Sequence, residues 1–330
     1  MQVSFIIPLH NCLPLTQAML ASLRATLPPG LGGEIILVDD GSTDGTRAWL
    51  QNLPAPCRVL LNERNLGFAA TCNRGAATAA GKLLFFLNND LVLGRRWLEP
   101  MLAAFARFPD AGLVGNVQRN AATGALDHAG IFFNHKGKPA HDVSPPGLAR
   151  WRQVAALTGA CFGIRREVWE ELGGFDEGFV NGSEDIDLCL RARRAGFRNL
   201  IALRSVVRHH ISASAGRKLR DEQNTFRLVA RWQDEIAGLA ARHWSQHLLA
   251  QHLDQSFVFD YPLLRDAFVC WLGILPSVPA SVNDGVRAAI ALELARWQQL
   301  CDTPESGEAV AVGRMPRVGP AIFGAARQTL

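Results

Sequence analysis

Two runs of acidic and amide residues follow apolar segments in the first third of the chain. The first begins with the adjacent carboxylates Asp39 and Asp40, and the second is Asn88-Asn89-Asp90. Adjacent carboxylates repel one another unless donors or a ligand engage them, and a carboxylate placed here can accept from a base N–H or a ribose hydroxyl. A carboxylate such as Asp90 next to a phosphate favours a hard divalent cation, Mg²⁺ or Mn²⁺, that bridges protein and diphosphate oxygens.

A third cluster of acids opens a predicted helix at Glu184, Asp185 and Asp187. The positive end of the helix dipole favours acids in the first turn, and this structural explanation fits Asp187 well. Glu184 and Asp185 follow the flexible sequence Asn-Gly-Ser at 181–183. Either carboxylate could therefore project into a cleft and act as a general base on a hydroxyl group.

Two adjacent histidines, His209 and His210, close a short predicted strand near Arg204 and Arg208. Either imidazole could bind a metal beside a diphosphate, and a hydrogen-bonded structural role is the alternative.

The formal net charge of the chain is +4. Residues 1–216 hold 22 basic and 18 acidic residues, and the remainder holds 12 of each. This mild positive excess suits a phosphorylated substrate and is too small to predict nucleic-acid binding.

Alternating apolar segments predict the elements that position these residues. Segments of β type lie at 3–7, 34–38, 58–61, 83–87 and 113–117, and segments with helical spacing lie between them at 13–27, 44–52, 68–80 and 96–108. This alternation indicates a parallel, doubly wound α/β sheet, in which the ligand crevice lies beyond the carboxyl ends of the strands. His10-Asn11, Asp39-Asp40 and Asn88-Asn89-Asp90 each follow a strand, so we expect them at one polar rim.

The second half of the chain predicts a helical extension. Strands at 126–133, 197–203 and 206–207 and helices at 165–172 and 184–195 precede Gly216, and helices at 218–241, 245–253, 261–272 and 283–300 follow it. We therefore expect an α/β domain at 1–216 and a helical extension at 217–330. The apolar stretch 267–282 is too short to span a bilayer; it predicts a buried helix, with an interfacial segment as the alternative.

Several classes of protein are excluded by motifs that the sequence lacks. No glycine loop follows the first strand, and neither a P-loop nor a G-x-S-x-G elbow occurs, which excludes dinucleotide dehydrogenases, P-loop enzymes and α/β-hydrolases. The seven cysteines form no C-x-x-C pair, and no basic segment of the secretory type opens the chain. We expect a reduced, cytoplasmic protein, with peripheral contact at the inner face of the cell membrane as an alternative location.

Six segments, taken in order, resemble the inverting nucleotide-sugar glycosyltransferases of family 2, which have the GT-A fold. They are residues 3–11, 34–46, 65–75, 87–90, 158–162 with 173–177, and 184–188. The resemblance implies a GT-A domain, which is a Rossmann-like, mostly parallel sheet flanked by helices. The C-terminal helices lie outside the part that the resemblance covers.

The resemblance also implies a role for each matching residue. Asp185, next to Glu184, would be the catalytic base, and Asp90 would bind Mn²⁺ or Mg²⁺ with His209 close to the metal and the diphosphate. Asp185 would remove a proton from the acceptor hydroxyl, which attacks the anomeric carbon with inversion. The residues that would bind the nucleotide sugar are Pro8, His10, Asn11, Asp39, Asp40, Asn65, Gly67, Asn73, Asn89 and Gly159.

The partners implied by the resemblance are a nucleotide-sugar donor and a hydroxyl acceptor. A UDP- or dTDP-sugar is the expected donor, because a carboxylate such as Asp40 pairs with a pyrimidine N–H. Residues 126–130, with Gly137 and His141, resemble bacterial enzymes that build O-antigen and other surface glycans. Glycan, lipid-linked and protein acceptors all stay open. The extension could shape the acceptor site, a homodimer interface or a membrane-surface contact.

The sequence departs from the family pattern at two places. The run that ends at Asp90 keeps one acid where many relatives have two or three, and His10 replaces a more usual aromatic residue before Asn11.

The alternative function is that of a catalytically silent GT-A domain that serves as a binding or scaffold subunit. The joint presence of Asp40, Asp90 and Asp185 favours the enzyme. The Q-x-x-R-W motif of processive synthases is absent, which favours a single addition.

Overall fold

The computed structural model describes residues 2–53, 57–210, 218–255 and 260–302. The first four predicted strands and the four helices predicted between residues 13 and 108 lie within a few residues of their predicted bounds. The strands are β1 (Val3–Leu9), β2 (Gly33–Asp39), β3 (Cys57–Leu61), β4 (Leu83–Leu87), β5 (Leu91–Leu93), β6 (Ala111–Asn120), β7 (Leu126–His128), β8 (Ile131–Phe133), β9 (Pro139–His141), β10 (Trp151–Val154), β11 (Cys161–Arg165) and β12 (Arg198–His209). The helices are α1 (Leu13–Thr26), α2 (Thr46–Gln51), α3 (Phe68–Thr78), α4 (Glu99–Arg107), α5 (Arg166–Leu172), α6 (Glu184–Arg194), α7 (Lys218–Gln255), α8 (Tyr261–Leu272) and α9 (Ala280–Asp302).

One large sheet brings the predicted polar strand ends together. In the described residues its main path is β10-β12-β6-β11-β4-β1-β2-β3, with β5 paired to β12 and β7 paired to β6. Strands β3, β2, β1 and β4 are parallel neighbours, and the register pairs Leu9 with Asp39 and Ile6 with Phe86. The carboxyl ends of β1, β2 and β4 therefore meet at one edge of the sheet.

Strand β11 interrupts the parallel order, and the sequence alternation does not predict it. It pairs antiparallel with both β4 and β6, so the sheet is mixed, although most of its strands run in one direction. Gly163 permits the pairing, because a Cβ there would lie 2.8 Å from the ring of Phe85 and 3.1 Å from that of Phe105. A short apolar segment carries no signal of its direction, so only the assembled sheet defines it.

Two predictions of where strands begin and end are wrong: one predicted strand is divided, and two others are joined. The predicted strand 126–133 divides into β7 and β8 at Gly130, whose φ of 126° breaks the extended conformation. The predicted strands 197–203 and 206–207 instead form one strand, β12, with an irregular register between Ala202 and Val206. The antiparallel pair β8–β9 forms a separate small sheet.

Both faces of the sheet are covered. Phe5 and Ile7 of β1 belong to one hydrophobic cluster with Leu20 of α1, whereas Ile6 belongs to the opposite cluster with Cys72 of α3. Successive side chains of a strand point to opposite faces, so β1 is buried on both sides. This burial explains why its sequence is a continuous apolar run.

The C-terminal helices pack on the face of the sheet that also carries α3. Trp232 and Ile236 of α7 and Ile290 of α9 share one hydrophobic cluster with Phe133 and Leu157. The predicted boundary between residues 216 and 217 lies outside the described residues. The predicted break between helices at 241 and 245 is wrong, because α7 is continuous there and kinks instead at Trp232.

The apolar stretch 267–282 does not form the predicted buried helix. Helix α8 ends at Leu272, where Gly273 adopts φ 71°, and α9 begins several residues later. Phe268 and Ile274 are 49% and 66% exposed. Among the described residues, no helix has both the length and the apolar character that crossing a bilayer requires.

Candidate functional site

The carboxylate of Asp40 lies at the centre of a cluster of hydrogen-bonded loops. Its Oδ1 accepts from the side-chain amide of Asn62 (2.8 Å) and the N–H of Leu66 (2.8 Å), and its Oδ2 accepts from the N–H of Gly67 (2.9 Å). Asp40 is almost completely buried. This carboxylate therefore holds the loop that follows β3 against the end of β2.

The neighbouring carboxylate, Asp39, has its own donors within the protein. It is fully buried, 2.8 Å from Arg47 Nε and 3.3 Å from the N–H of Ser42. Between the two loops, Gly41 has φ 73°, and a Cβ on it would lie 2.6 Å from the carbonyl carbon of Arg64, so only glycine fits. Asp39 therefore orients the turn at 40–43 through donors that belong to the chain itself.

Replacing Asp40 with alanine is expected to lower the free energy of unfolding by about 2–4 kcal/mol, because three donors lose a shared acceptor in a buried place. Urea denaturation followed by tryptophan fluorescence measures the change. Asp110→Ala is the control, since that carboxylate pairs with Arg198 at the surface, and it should leave the free energy of unfolding nearly unchanged. A variant at Asp40 that is as stable as the wild type would show that the loop does not depend on this carboxylate.

The turn after β1 is bound to the turn after β2. His10 Nδ1 donates to the backbone oxygen of Asp40 (2.9 Å). The N–H of Asn11 donates to Ser42 Oγ (2.8 Å), and Asn11 Oδ1 accepts from the N–H of Thr43 (2.8 Å). Asn11 adopts φ 56°, a left-handed conformation that asparagine tolerates better than most residues. The two turns thus form one surface.

Asn89 joins the end of β4 to this surface. Its side-chain amide donates to Thr16 Oγ1 (2.9 Å) and to the backbone oxygen of Asn11 (3.3 Å). Pro8 is buried within β1, where it pairs with Val38. The polar rim predicted at the ends of β1, β2 and β4 is therefore present, with Pro8 beneath it.

Two of the three candidate residues near the start of α3 share hydrogen bonds with the loop at Asp40, and the third has its hydrogen bonds elsewhere. Asn65 Oδ1 accepts from the N–H of Gly67 (3.0 Å), which Asp40 also binds. Asn73 Nδ2 donates instead to the backbone oxygen of Phe175 (3.0 Å) and to Glu177 (2.8 Å). Asn73 therefore connects α3 to the loop that precedes α6.

Asp90 and His209 bring two metal-binding atoms together. The register of β5 on β12 pairs His209 with Leu91, and Asp90 Oδ1 lies 3.1 Å from His209 Nε2, with both side chains 13% exposed. Asp90 Oδ1 is buried, and no donor among the described residues is aligned to hydrogen-bond it. His210 contributes its backbone N–H to the backbone oxygen of Asp90 (3.1 Å). The imidazole beside the carboxylate oxygen is therefore that of His209.

The chemistry of this pair fits a divalent cation. A carboxylate oxygen and an imidazole nitrogen both bind Mn²⁺, and a buried oxygen without a donor is satisfied by a cation. Within the described ranges, no group of three or more His, Cys, Asp or Glu side chains is arranged to hold a metal ion. A cation at Asp90 and His209 would therefore need further oxygens, such as those of a diphosphate, to complete its coordination.

Two of the three acids in the first turn of α6, Asp185 and Glu184, have different surroundings. Asp185 Oδ2 accepts from the N–H of Gly159 (2.6 Å), and its Oδ1 accepts from the N–H of Ile186 (2.8 Å). A Cβ on Gly159 would lie 3.3 Å from Asp185 Cβ, so the missing side chain eases this approach. Glu184 is buried, and its Oε2 accepts from the N–H of Gly182 (2.6 Å). Asp185 is thereby held at the start of β11, and Glu184 supports the loop.

Asp185 lies next to the polar rim. The N–H of Asn88 donates to the backbone oxygen of Ala160 (2.9 Å), which places the residues that contact Asp185 at the end of β4. Asn181 Oδ1 accepts from the N–H of Phe68 (3.1 Å). The loop before α6 is therefore bound to the same loop that covers Asp40.

Two buried side chains near the site are uncharged at neutral pH. Burial raises the pKa of the Cys72 thiol, and the carboxylates of Glu184 and Asp40 raise it further. Burial lowers the pKa of His128 well below its ordinary value, and His141 nearby lowers it further. Cys72 therefore stays a thiol, and His128 stays a neutral imidazole.

Comparison with known proteins identifies the family. The model for "Glycosyl transferase family 2" matches residues 4–173, just over half of the 330 residues. The chain belongs to this family. It is 34% identical over 227 residues to the O-antigen biosynthesis protein RfbC of Myxococcus xanthus, covering 64% of this chain and 18% of that protein. It is 31% identical over 241 residues to the N-acetylglucosaminyl-diphospho-decaprenol L-rhamnosyltransferase of Mycobacterium tuberculosis, covering 65% of this chain and 73% of that protein.

A solved structure supports the fold. The family 2 chain superimposes on a crystal structure of GalNAc-T7 with UDP, GalNAc and Mn²⁺ with a TM-score of 0.59 and 19% sequence identity, covering 80% of this chain and 53% of that one. This likeness and the mixed, mostly parallel sheet confirm the GT-A fold that the sequence predicts. The chain spans less than a third of the length of two of its curated relatives, RfbC among them.

Two residues at the rim of this family 2 protein are missing from the sequence prediction. Asn62, which binds Asp40, directly follows β3, so the strand-end rule that identified the ends of β1, β2 and β4 would have found it. Asn181 carries no such signal, because its partner Phe68 lies 113 residues earlier in the chain. Only the folded structure could place Asn181 at the site.

Proposed function

We propose that this family 2 protein transfers a sugar from a nucleoside diphosphate donor to a hydroxyl acceptor, with inversion at the anomeric carbon. One observation carries the proposal: the loops around Asp40, the Asp90–His209 pair and the carboxylate of Asp185 meet at one edge of the sheet. A base site, a diphosphate site and a general base are the three parts that such a transfer requires.

The nucleotide of the donor would lie against the turns after β1 and β2. Asp40 Oδ1 accepts two hydrogen bonds from the described residues, whereas Oδ2 accepts one, from Gly67. A carboxylate oxygen can accept two, so Oδ2 has the capacity to accept also from the N–H of a pyrimidine base. This capacity supports a UDP- or dTDP-sugar as the donor, with His10 and Asn11 beside it.

Asp90 and His209 would hold Mn²⁺ or Mg²⁺ at the diphosphate. When bound, the ion neutralises the negative charge that develops on the diphosphate as it leaves. Asp90 would supply the one acidic ligand, His209 would supply a nitrogen, and the diphosphate would supply the further oxygens that the ion requires.

Asp185 would take the proton from the acceptor hydroxyl. The hydroxyl oxygen then forms a bond to the anomeric carbon on the face opposite the nucleotide, and the bond to the diphosphate breaks with its electron pair on the leaving group. The N–H groups of Gly159 and Ile186 hold the carboxylate in one orientation before the substrate arrives.

We propose a glycan on a lipid diphosphate as the acceptor. The mycobacterial relative is named for an acceptor of this kind.

Helix α8 carries apolar features that suit such an acceptor. Its Trp271 lines a cavity of about 420 Å³ between α7 and α8. An exposed apolar surface on α8 and the following turn suits contact with the cytoplasmic side of a membrane. Its residues are Tyr261, Phe268, Leu272, Ile274 and Leu275.

A thermal-shift panel of UDP-, dTDP- and GDP-sugars, each with and without Mn²⁺, tests the donor site. A pyrimidine nucleotide sugar is expected to stabilise the protein by about 2.7 kcal/mol at a concentration of about 100 times its Kd, and by much less without Mn²⁺. No response to any nucleotide sugar would overturn the proposal. A donor that binds but is neither hydrolysed nor transferred to an acceptor would identify the catalytically silent subunit instead.

A further inference from the structure

Helix α7 binds the loop that leads into α6. Asn224 is buried; its Nδ2 donates to the backbone oxygen of Val180 (2.9 Å), and its Oδ1 accepts from the N–H of the same residue (3.3 Å). Arg227 donates to the backbone oxygen of Gly178 (2.6 Å) and pairs with Asp176 (3.3 Å). These side chains hold the loop backbone at two points before α6 begins.

The same helix contacts the first turn of α6. Arg231 bridges Asp176 (2.7 Å) and Asp187 (3.0 Å), and Trp232 Nε1 donates to Asp187 Oδ1 (2.9 Å). Arg191 Nε donates to the other oxygen of Asp187 (2.8 Å). Asp187 is completely buried. A buried carboxylate that accepts from two helices restricts both the distance and the rotation between them.

A kink in α7 accompanies the contact with Asp187. Trp232 departs from helical geometry with φ −117° and ψ 19°, and its indole is buried. The guanidinium of Arg194, on α6, lies 4.1 Å from the centre of the indole ring. Helix α7 therefore bends at the residue that binds α6.

Asp185 lies between these two sets of contacts. Val180, held by Asn224, is five residues before it, and Asp187, held by Arg231, is two residues after it. We propose that Asn224 and Arg231 are positioning residues for Asp185, so that α7 completes the catalytic site. This inference rests on the proposed role of Asp185 as the general base. A displacement of a catalytic group by about 1 Å can cost about 100-fold in rate, so loosening either contact should be measurable.

Three variants test the inference. Asn224→Asp keeps the size of the side chain but removes its donor to Val180. Arg231→Ala removes the bridge between the two carboxylates, while Asp187 keeps Arg191 and Trp232 as partners. Arg231→Lys keeps a positive charge without the planar fork of donors. Arg287→Ala is the matched control, because it removes an ion pair between α9 and Asp234 of α7 (2.6 Å) instead of a contact with α6 or its preceding loop.

The readouts separate positioning from binding and folding. With the nucleotide sugar that the panel selects, Asn224→Asp and Arg231→Ala are expected to lower kcat by about 10- to 100-fold, and Arg231→Lys by less, with donor Kd within about twofold of the wild type. Hydrogen exchange over residues 176–187 is expected to accelerate in these variants, with protection elsewhere unchanged. Arg287→Ala should match the wild type in every readout.

The outcomes distinguish this inference from the proposed function. If Asp185→Asn abolishes turnover while Asn224→Asp and Arg231→Ala turn over at the wild-type rate, the inference fails and the proposed function stands. If Asp185→Asn keeps full turnover, the proposed base is wrong, and the positioning role falls with it. A loss of donor affinity that accounts for the whole loss in rate would also overturn the inference, because α7 would then act on the donor site.

Discussion

Asp185→Asn is expected to lower the kcat for sugar transfer by about 10³-fold, with donor affinity within about twofold of the wild type. Asparagine has nearly the same shape as aspartate, and its Oδ1 can still accept from one of the backbone N–H groups of Gly159 and Ile186. The start of α6 should therefore keep its place. The amide cannot take a proton from a hydroxyl group, so the chemical step alone is lost. Nucleoside diphosphate release in the presence of acceptor measures the rate, and a thermal-shift titration measures the affinity.

The control for this substitution is Asp234→Asn, the same chemical change at an exposed carboxylate of α7 that pairs with Arg287. It is expected to transfer sugar at the wild-type rate. A wild-type rate for Asp185→Asn would remove Asp185 from the role of base, and Glu184→Gln would then test the neighbouring acid. A large loss of donor affinity would instead assign Asp185 to donor binding.

Asp90→Asn is expected to lower turnover by about 10²- to 10³-fold and to abolish the effect of Mn²⁺ on donor binding. The substitution replaces a charged oxygen by an amide at the position where Asp90 Oδ1 lies beside His209 Nε2. The divalent ion would lose its one acidic protein ligand, and the diphosphate would leave without charge neutralisation. Thermal-shift titrations of UDP with and without Mn²⁺ measure the metal effect independently of turnover.

The two adjacent histidines provide the matched pair for the metal site. His209→Ala is expected to weaken the Mn²⁺ effect on UDP binding, whereas His210→Ala should preserve it, because the backbone N–H of His210 is what binds Asp90. Chelation should inactivate the wild type, and added Mn²⁺ should restore it. Full activity in excess chelator would show that the transfer does not use a metal ion.

Apart from the three-residue strand β5, the order of elements in residues 1–120 could be predicted, because each of the other strands there contains a short apolar run. Runs such as Leu83–Leu87 are buried on both faces, so their own sequence reports their environment. Strand β11 was missed because its partners and its direction depend on β4 and β6, which lie elsewhere in the chain. The kink of α7 at Trp232 was missed for the same reason, since it accompanies a contact with Asp187.

The candidate site was predictable where a residue follows a strand. Asp40 and Asp90 follow β2 and β4, and the parallel register brings these ends together. Other candidates have structural partners that no local pattern reports. Asp39 binds Arg47, and Asn73 binds the loop at 175–177. That Asp39 and Asn73 also contribute to the donor site stays a prediction.

The sequence by itself determined the family, the positions of the polar strand ends and the acids available for catalysis, because strand burial and loop motifs are local properties of the chain. The tertiary structure decided which of two histidines lies beside Asp90. It also brought Asn224 to the loop before α6, and Arg231 to the first turn of α6, which carries Asp185. Those contacts join residues 44 to 119 positions apart. Such contacts arise only when separate elements pack together, and no periodicity within either element encodes them.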